Sequence, residues 1–221
     1  MPPERRVARG ATELPDVADE ALAPWEPVPL QAGFEIEDAR LDADLSGLSA
    51  AGGRIARSRL AGARLAGSRL RSLRLIDVVV SDADLSNADW TGAQLQRVVL
   101  ERCRMTGFVG ASLQAEHVTL RDCKVDLANL RRAALRRVTF DGCVLDDADL
   151  GGASVRDTRF TGCRLLRVAL HDARLAGADF RGSQLAPDGD VAALRGAVID
   201  AVQLVELGPL LARGLGIDVR D

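Results

Sequence analysis

From Leu45 to Leu185 large apolar residues fall on every fifth position, and neither these positions nor the residues two before them carry a charge. Of the 29 centres so defined, 26 are Leu, Ile, Val, Met, Phe or Trp, and in 25 cases the residue two before is Ala, Ser, Cys, Val, Thr or Gly. Charged residues make up 28% of the chain, so chance alone would place about 16 on the paired positions. Both sets must therefore point inward. A helix returns to one face about every 3.6 residues and a strand alternates, so a strict five excludes either as an extended element. The chain must turn at every repeat.

A second period lies above the first. Cys103, Cys123, Cys143 and Cys163 are 20 apart and always two before a centre, and Val78, Val98, Val118 and Val138 share that spacing, as do Phe140, Phe160 and Phe180. Four repeats make one coil, in which like stacks on like as in parallel ladders. With about 4.8 Å between paired strands, about seven coils form a rod about 34 Å long. Three centres are small, Ala50, Gly110 and Ala115, and each follows a large residue, Leu48, Phe108 or Leu113. Volume exchanged within a pair is what a close-packed interior tolerates, so the register is expected to run unbroken through residues 105–120. Leu73 beside Leu75 departs from that rule. Two Trp, five Phe and no Tyr leave Leu, Val and Ala to fill the core.

All eight Pro lie outside the repeats, consistent with their inability to donate to a ladder. The expected divisions are a disordered, acidic tail over 1–21, a lead-in over 22–44 whose Trp25, Leu30, Phe34 and Ile36 cover the open first coil, the repeats over 45–185, and a C-terminal segment over 186–221. In the last, Pro187-Asp188-Gly189 ends the repeats, Asp200 caps a helix from Ala201 to about Arg213, and Pro209 should kink or split it. Val202, Leu204, Val205, Leu207, Leu210 and Leu211 make this helix apolar nearly all round. One face can seal the last coil, and the surplus predicts a homodimer.

Units such as Ala83-Asp84-Leu85-Ser86-Asn87 and Ala148-Asp149-Leu150-Gly151-Gly152 give the pattern A-[DN]-L-x-x over 45–185, which resembles the bacterial pentapeptide-repeat protein family. That resemblance implies an all-β solenoid, a right-handed quadrilateral β-helix with one pentapeptide per side and a C-terminal α-helical cap. It also implies a non-enzymatic protein-binding rod: the quinolone-resistance members protect DNA gyrase and topoisomerase IV as dimeric, acidic, DNA-shaped rods. The plasmid-borne members carry loops that interrupt the register, whereas this register has no insertion, like that of mycobacterial relatives. The charge distribution differs from a mimic's. Residues 41–185 hold 22 Lys and Arg against 17 Asp and Glu, while residues 1–40 hold 4 against 9 and residues 186–221 hold 3 against 6. Imitation of DNA calls for negative charge along the rod itself.

Two kinds of outward grouping could carry recognition. A basic strip of Arg97, Arg131, Arg132, Arg136, Arg137 and Arg156 could grip an acidic protein, an anionic ligand or nucleic acid, but it has no aromatic residue interleaved for base stacking. Two acidic groupings, Asp82, Asp84 and Asp89, then Asp146, Asp147 and Asp149, are the carboxylates that could stand in for phosphates, and they also belong to the ordinary repeat. A one-dimensional row of Cys cannot surround a metal, His117 and His171 lie far apart with no nucleophile at a fixed offset, and the Gly residues mark turns, so no cofactor, metal or catalytic residue is expected. The start MPPERRVARGATELPD lacks an apolar stretch and no long apolar run follows, which favours a cytoplasmic protein with reduced thiols. A scaffold without a specific surface is the remaining alternative.

Overall fold

The computed structural model describes residues 12–220 apart from 19, 21, 27 and 190. It is a parallel β-solenoid of about eight turns closed by one C-terminal helix. The strands are β1 (Ala23–Pro24), β2 (Glu35–Glu37), β3 (Ala39–Leu41), β4 (Arg54–Ala61), β5 (Arg74–Ser81), β6 (Gln94–Glu101), β7 (Gln114–Arg121), β8 (Ala134–Asp141), β9 (Ser154–Arg156), β10 (Arg159–Thr161), β11 (Arg164–Ala169) and β12 (Gln184–Asp188). From β4 to β8 each strand pairs in parallel with the next at an offset of 20, as in Leu75↔Leu95 and Val78↔Val98. Each of these strands covers two sides of the coil. The other two sides are held by single bridges, such as Asp84↔Arg104 and Asp89↔Val109.

The repeat explains its own turn. Leu65 accepts a hydrogen bond from the Ser68 N–H at 3.1 Å, with Gly67 at φ 64°, and Leu85 and Ala88 do the same around Asn87 at φ 55°. This is the positive φ that a type II turn requires at its third residue. The fourth residue is tucked inside the corner, which is why it is small. Several polar residues there donate to the carbonyl two residues before, as Ser58 to Ala56, Thr158 to Arg156 and Cys103 to Glu101, whereas Ser183 donates to the Phe160 carbonyl.

The interior is one continuous apolar column from Ile36 to Leu207. Phe140, Phe160 and Phe180 stack with centroids 4.8 and 4.6 Å apart, and Trp90 meets Phe108 edge-on at 5.4 Å. The volume exchange at Gly110 is visible directly: a Cβ there would lie 2.9 Å from Phe108 and 3.0 Å from Leu130. At Ala115 it is incomplete, and an apolar void of about 40 Å³ remains between Ala115 and its neighbours. Leu73 is accommodated along its column, which reads Gly53, Leu73, Ala93, Leu113, Ala133. Large alternates with small between coils, and the Phe34 ring fills the space left by Gly53.

The 20-residue register slips by one residue at both ends. The first coil starts at β2 and β3, which pair with β4 at an offset of 19, as in Ile36↔Ile55 and Leu41↔Leu60. Trp25, Leu30 and Phe34 pack against the core from that end. Beyond Leu185, β12 continues through Pro187 and Asp188 after a one-residue shift, and the coil closes through a 3-10 turn at Val191–Leu194 and a bridge from Val198 to Asp179. Residues 1–11, 19 and 21 of the expected tail lie outside the described residues, whereas residues 12–18 lie along the rod, from Arg137 at Thr12 to Asp77 at Asp16.

The C-terminal helix α1 (Ala201–Gly214) starts with a capping box, in which Asp200 accepts from the Gln203 N–H and the Gln203 side chain accepts from the Asp200 N–H. It runs through Pro209 without splitting. Pro209 faces solvent, where the carbonyl it leaves unpaired can bond water.

Candidate interaction surfaces

The turn residue at each corner projects outward, and these residues stack in columns one coil apart. Where a corner Asp lies directly beneath a corner Arg, the pair closes as a bidentate clamp: Asp38–Arg57, Asp77–Arg97, Asp82–Arg102 and Asp147–Arg167, all at 2.6–2.8 Å. All eight residues have positive φ, from 43° to 56°. The guanidinium bonded to each carboxylate holds Asp38, Asp77, Asp82 and Asp147 below the usual carboxylate range. Fork-to-fork geometry is the strongest arrangement open to such a pair.

This changes the reading of both charged groupings. Asp82 and Asp147 are neutralised by their clamps. Asp84 accepts from the Ser86 N–H, Asp89 from Thr91 and Arg71, Asp146 from Arg164 and the Leu166 N–H, and Asp149 from the Gly151 N–H and Arg131. The two acidic groupings are also three coils, about 14 Å, apart. They form no phosphate-like row.

Of the basic residues, Arg136 pairs with Arg156 across β8 and β9, and His117 lies between Arg97 and Arg137 in one corner column. Its charge is largely spent internally. Arg97 is clamped, Arg131 lies 3.0 Å from both Asp149 and His171, Arg136 lies 3.2 Å from Glu116, and Arg137 lies 3.4 Å from Glu116 and 3.2 Å from His117. Among the described residues Arg132 and Arg156 form no ion pair. Beside the strip, a groove of about 330 Å³ runs over Arg74, Gln94, Gln96, Gln114, Glu116 and Arg136.

The four Cys are free thiols, each buried, with Sγ donating to backbone carbonyls. Hydrogen bonding to the thiol below and burial push Cys123 and Cys143 up to about 12 and Cys163 upward as well. Thiols so held are packing groups.

On α1 the two apolar faces separate. Gln203 and Leu207 are buried against the last coil, where Gln203 Nε2 donates to the Phe180 and Ser183 carbonyls, both at 2.6 Å. Leu210 and Leu211 are half-buried beside them. Val202, Leu204 and Val205 are 68%, 54% and 77% exposed. Of the six residues read as a dimer face, Leu207 thus belongs to the cap, because its side chain is already consumed there.

The sequence pattern described as pentapeptide repeats, in eight copies, matches residues 74–109, and that described as a pentapeptide repeat region matches residues 114–187. This chain belongs to the pentapeptide-repeat family. Solved structures resemble this pentapeptide-repeat rod at low identity. Full-length QnrB1, a plasmid-mediated fluoroquinolone resistance protein, is 15% identical over 82% of this chain and 98% of that one, with a TM-score of 0.41. HetL, a pentapeptide repeat protein involved in heterocyst differentiation regulation from the cyanobacterium Nostoc, is 19% identical over 77% of this chain and 86% of that one, with a TM-score of 0.33. No curated protein matches the chain. No helix among the described residues is long and apolar enough to cross a membrane.

Sequence reading missed the corner clamps, although the signal was available as Asp at one corner and Arg 19 or 20 residues later.

Proposed function

We propose that this chain is a non-catalytic protein-binding rod that dimerises through α1, and that a type II topoisomerase is the partner to test first. The observation that carries the reading is the division of α1. Its inner face is used up by Gln203 and Leu207, and its outer face leaves Val202, Leu204 and Val205 in water. Burying side chains of this size contributes roughly 1.5–3 kcal/mol each, and a twofold interface uses the same patch twice. The topoisomerase comes from the resemblance of the repeat unit to gyrase-protecting members. With every candidate Asp already engaged, recognition would rest on the shape of the rod and its fixed side chains rather than on imitation of phosphates.

Titration of the purified chain into a gyrase supercoiling assay, with and without a quinolone, tests the partner. Inhibition, or rescue from drug-stabilised cleavage, is expected; no effect at tens of micromolar, on the scale of weak specific binding, removes the topoisomerase. A second reading, a basic face for an anionic ligand or nucleic acid, rests on Arg132 and Arg156. It requires salt-dependent binding of duplex DNA by the native chain that is lost in Arg132→Ala/Arg156→Ala.

A further inference from the structure

The outward position just before a centre is usually polar or charged, yet one column of it reads Val79, Val99, Thr119, Thr139. Val79, Val99 and Thr119 point away from the core and are nevertheless only 9%, 8% and 6% exposed. The cover is the chain's own N-terminal segment. Leu14, Pro15 and Val17 lie over Arg59, Val79, Val99 and Glu101. The Thr12 hydroxyl meets that of Thr139 at 3.1 Å, the Glu13 N–H donates to His117 Nδ1 at 2.9 Å, and the Asp16 N–H donates to Asp77 Oδ1 at 3.2 Å.

The geometry is that of a strap laid along the rod. From Thr12 to Asp16 an extended chain covers about 13 Å, and three coils, from Arg137 to Asp77, span about 14 Å. The segment therefore crosses the strands and takes no place in their ladder. Its carboxylates, Glu13 and Asp16, run beside the corner column of Arg97, His117 and Arg137, with Glu13 Oε1 3.8 Å from His117 Nε2. The hold is thin. Leu14 is 70% exposed, and no strand ladder secures the segment.

We infer that the column Val79–Val99–Thr119–Thr139, edged by Arg97, His117 and Arg137, is a docking face for an extended acidic segment of a partner protein, which residues 12–18 occupy until they are displaced. β-branched residues give a flat apolar floor, the guanidiniums of Arg97 and Arg137 favour carboxylates beside them, and a weakly held internal occupant sets the threshold for the external one. This inference stands apart from the identity of the partner and from dimerisation.

The test uses the full chain and a fluorescein-labelled peptide of residues 11–20. In Glu13→Lys/Asp16→Lys, the strap carries cations past Arg97 and Arg137 and is repelled. That variant should bind the peptide saturably and at least tenfold more tightly than the native chain, and adding Val99→Asp should abolish the gain. A peptide of scrambled order should bind at least tenfold more weakly than the true one. Equal affinity in native and strap-reversed chains, no binding by either, or indifference to Val99→Asp or to scrambling, would overturn the inference.

Discussion

A corner residue in this rod must adopt a left-handed backbone, and Gly, Asn and Asp do so at low cost. Arg, His and Leu do not. Arg57, Arg97, Arg102 and Arg167 are compensated by the clamp to the Asp one coil below, whereas Leu127, at φ 56° and 58% exposed, makes no such bond. Leu127→Asn is therefore expected to stabilise the chain by up to about 1 kcal/mol in chemical denaturation. Arg97→Ala should cost about 1–2 kcal/mol, because Arg97 and Asp77 are both mostly shielded from water; Arg102→Ala, at an exposed clamp, should cost less. The clamped carboxyls bind protons less readily in the folded than in the unfolded chain. Their contribution is fully present above the ordinary carboxylate range and is lost as pH falls through and below it. Thermal melts should be insensitive to these groups between pH 7 and 5 and should fall steeply below about pH 4. Clamp-free variants should show a shallower fall.

At the scale of elements, α1 does two things with one amphipathic surface. Gln203 closes the open end of the last coil by satisfying the Phe180 and Ser183 carbonyls. Gln203→Leu removes the side-chain donor to both, leaving the Phe180 carbonyl only the Ser183 N–H at 3.1 Å, and is expected to cost about 1–3 kcal/mol, whereas Val205→Asp touches nothing in the cap. If α1 dimerises the rod, Val205→Asp halves the mass measured by light scattering and leaves the melting temperature of the monomer near that of the native coil. A parent chain that is already monomeric removes dimerisation through α1. Leu207→Asp cannot serve this test, since Leu207 is 2% exposed inside the cap.

For the whole molecule, each coil contacts only its neighbours, so stability is a sum of coil and interface terms. Amide exchange should be slowest in β5–β8, where the 20-residue register is uninterrupted, and faster at β2–β3 and β12, where it slips. The buried thiols should react with a disulfide reagent only as fast as the coils open. Rapid labelling of Cys123 or Cys143 in the native state would contradict the packing described here.

The solenoid was legible because its constraint is one-dimensional: a period of five fixes which side chains point inward, a period of 20 fixes what stacks on what, and neither needs distant contacts to be guessed. The same periods placed Arg136 against Arg156, and outside the repeats the N-cap residue Asp200 made the helix at Ala201 readable. The state of the surface needed three dimensions. The sequence lists Asp and Arg without saying that they neutralise each other across coils, so a basic strip and two acidic groupings read as free charge become clamps, turn caps and ion pairs. Leu207 reads as surplus until the last coil takes it. Residues 12–18 read as a tail because they belong to an acidic, Pro-containing stretch without the repeat. Only the folded rod provides the column of Val79, Val99 and Thr119 on which they lie, since that column is assembled from residues 20 apart and exists nowhere in the chain as a contiguous segment.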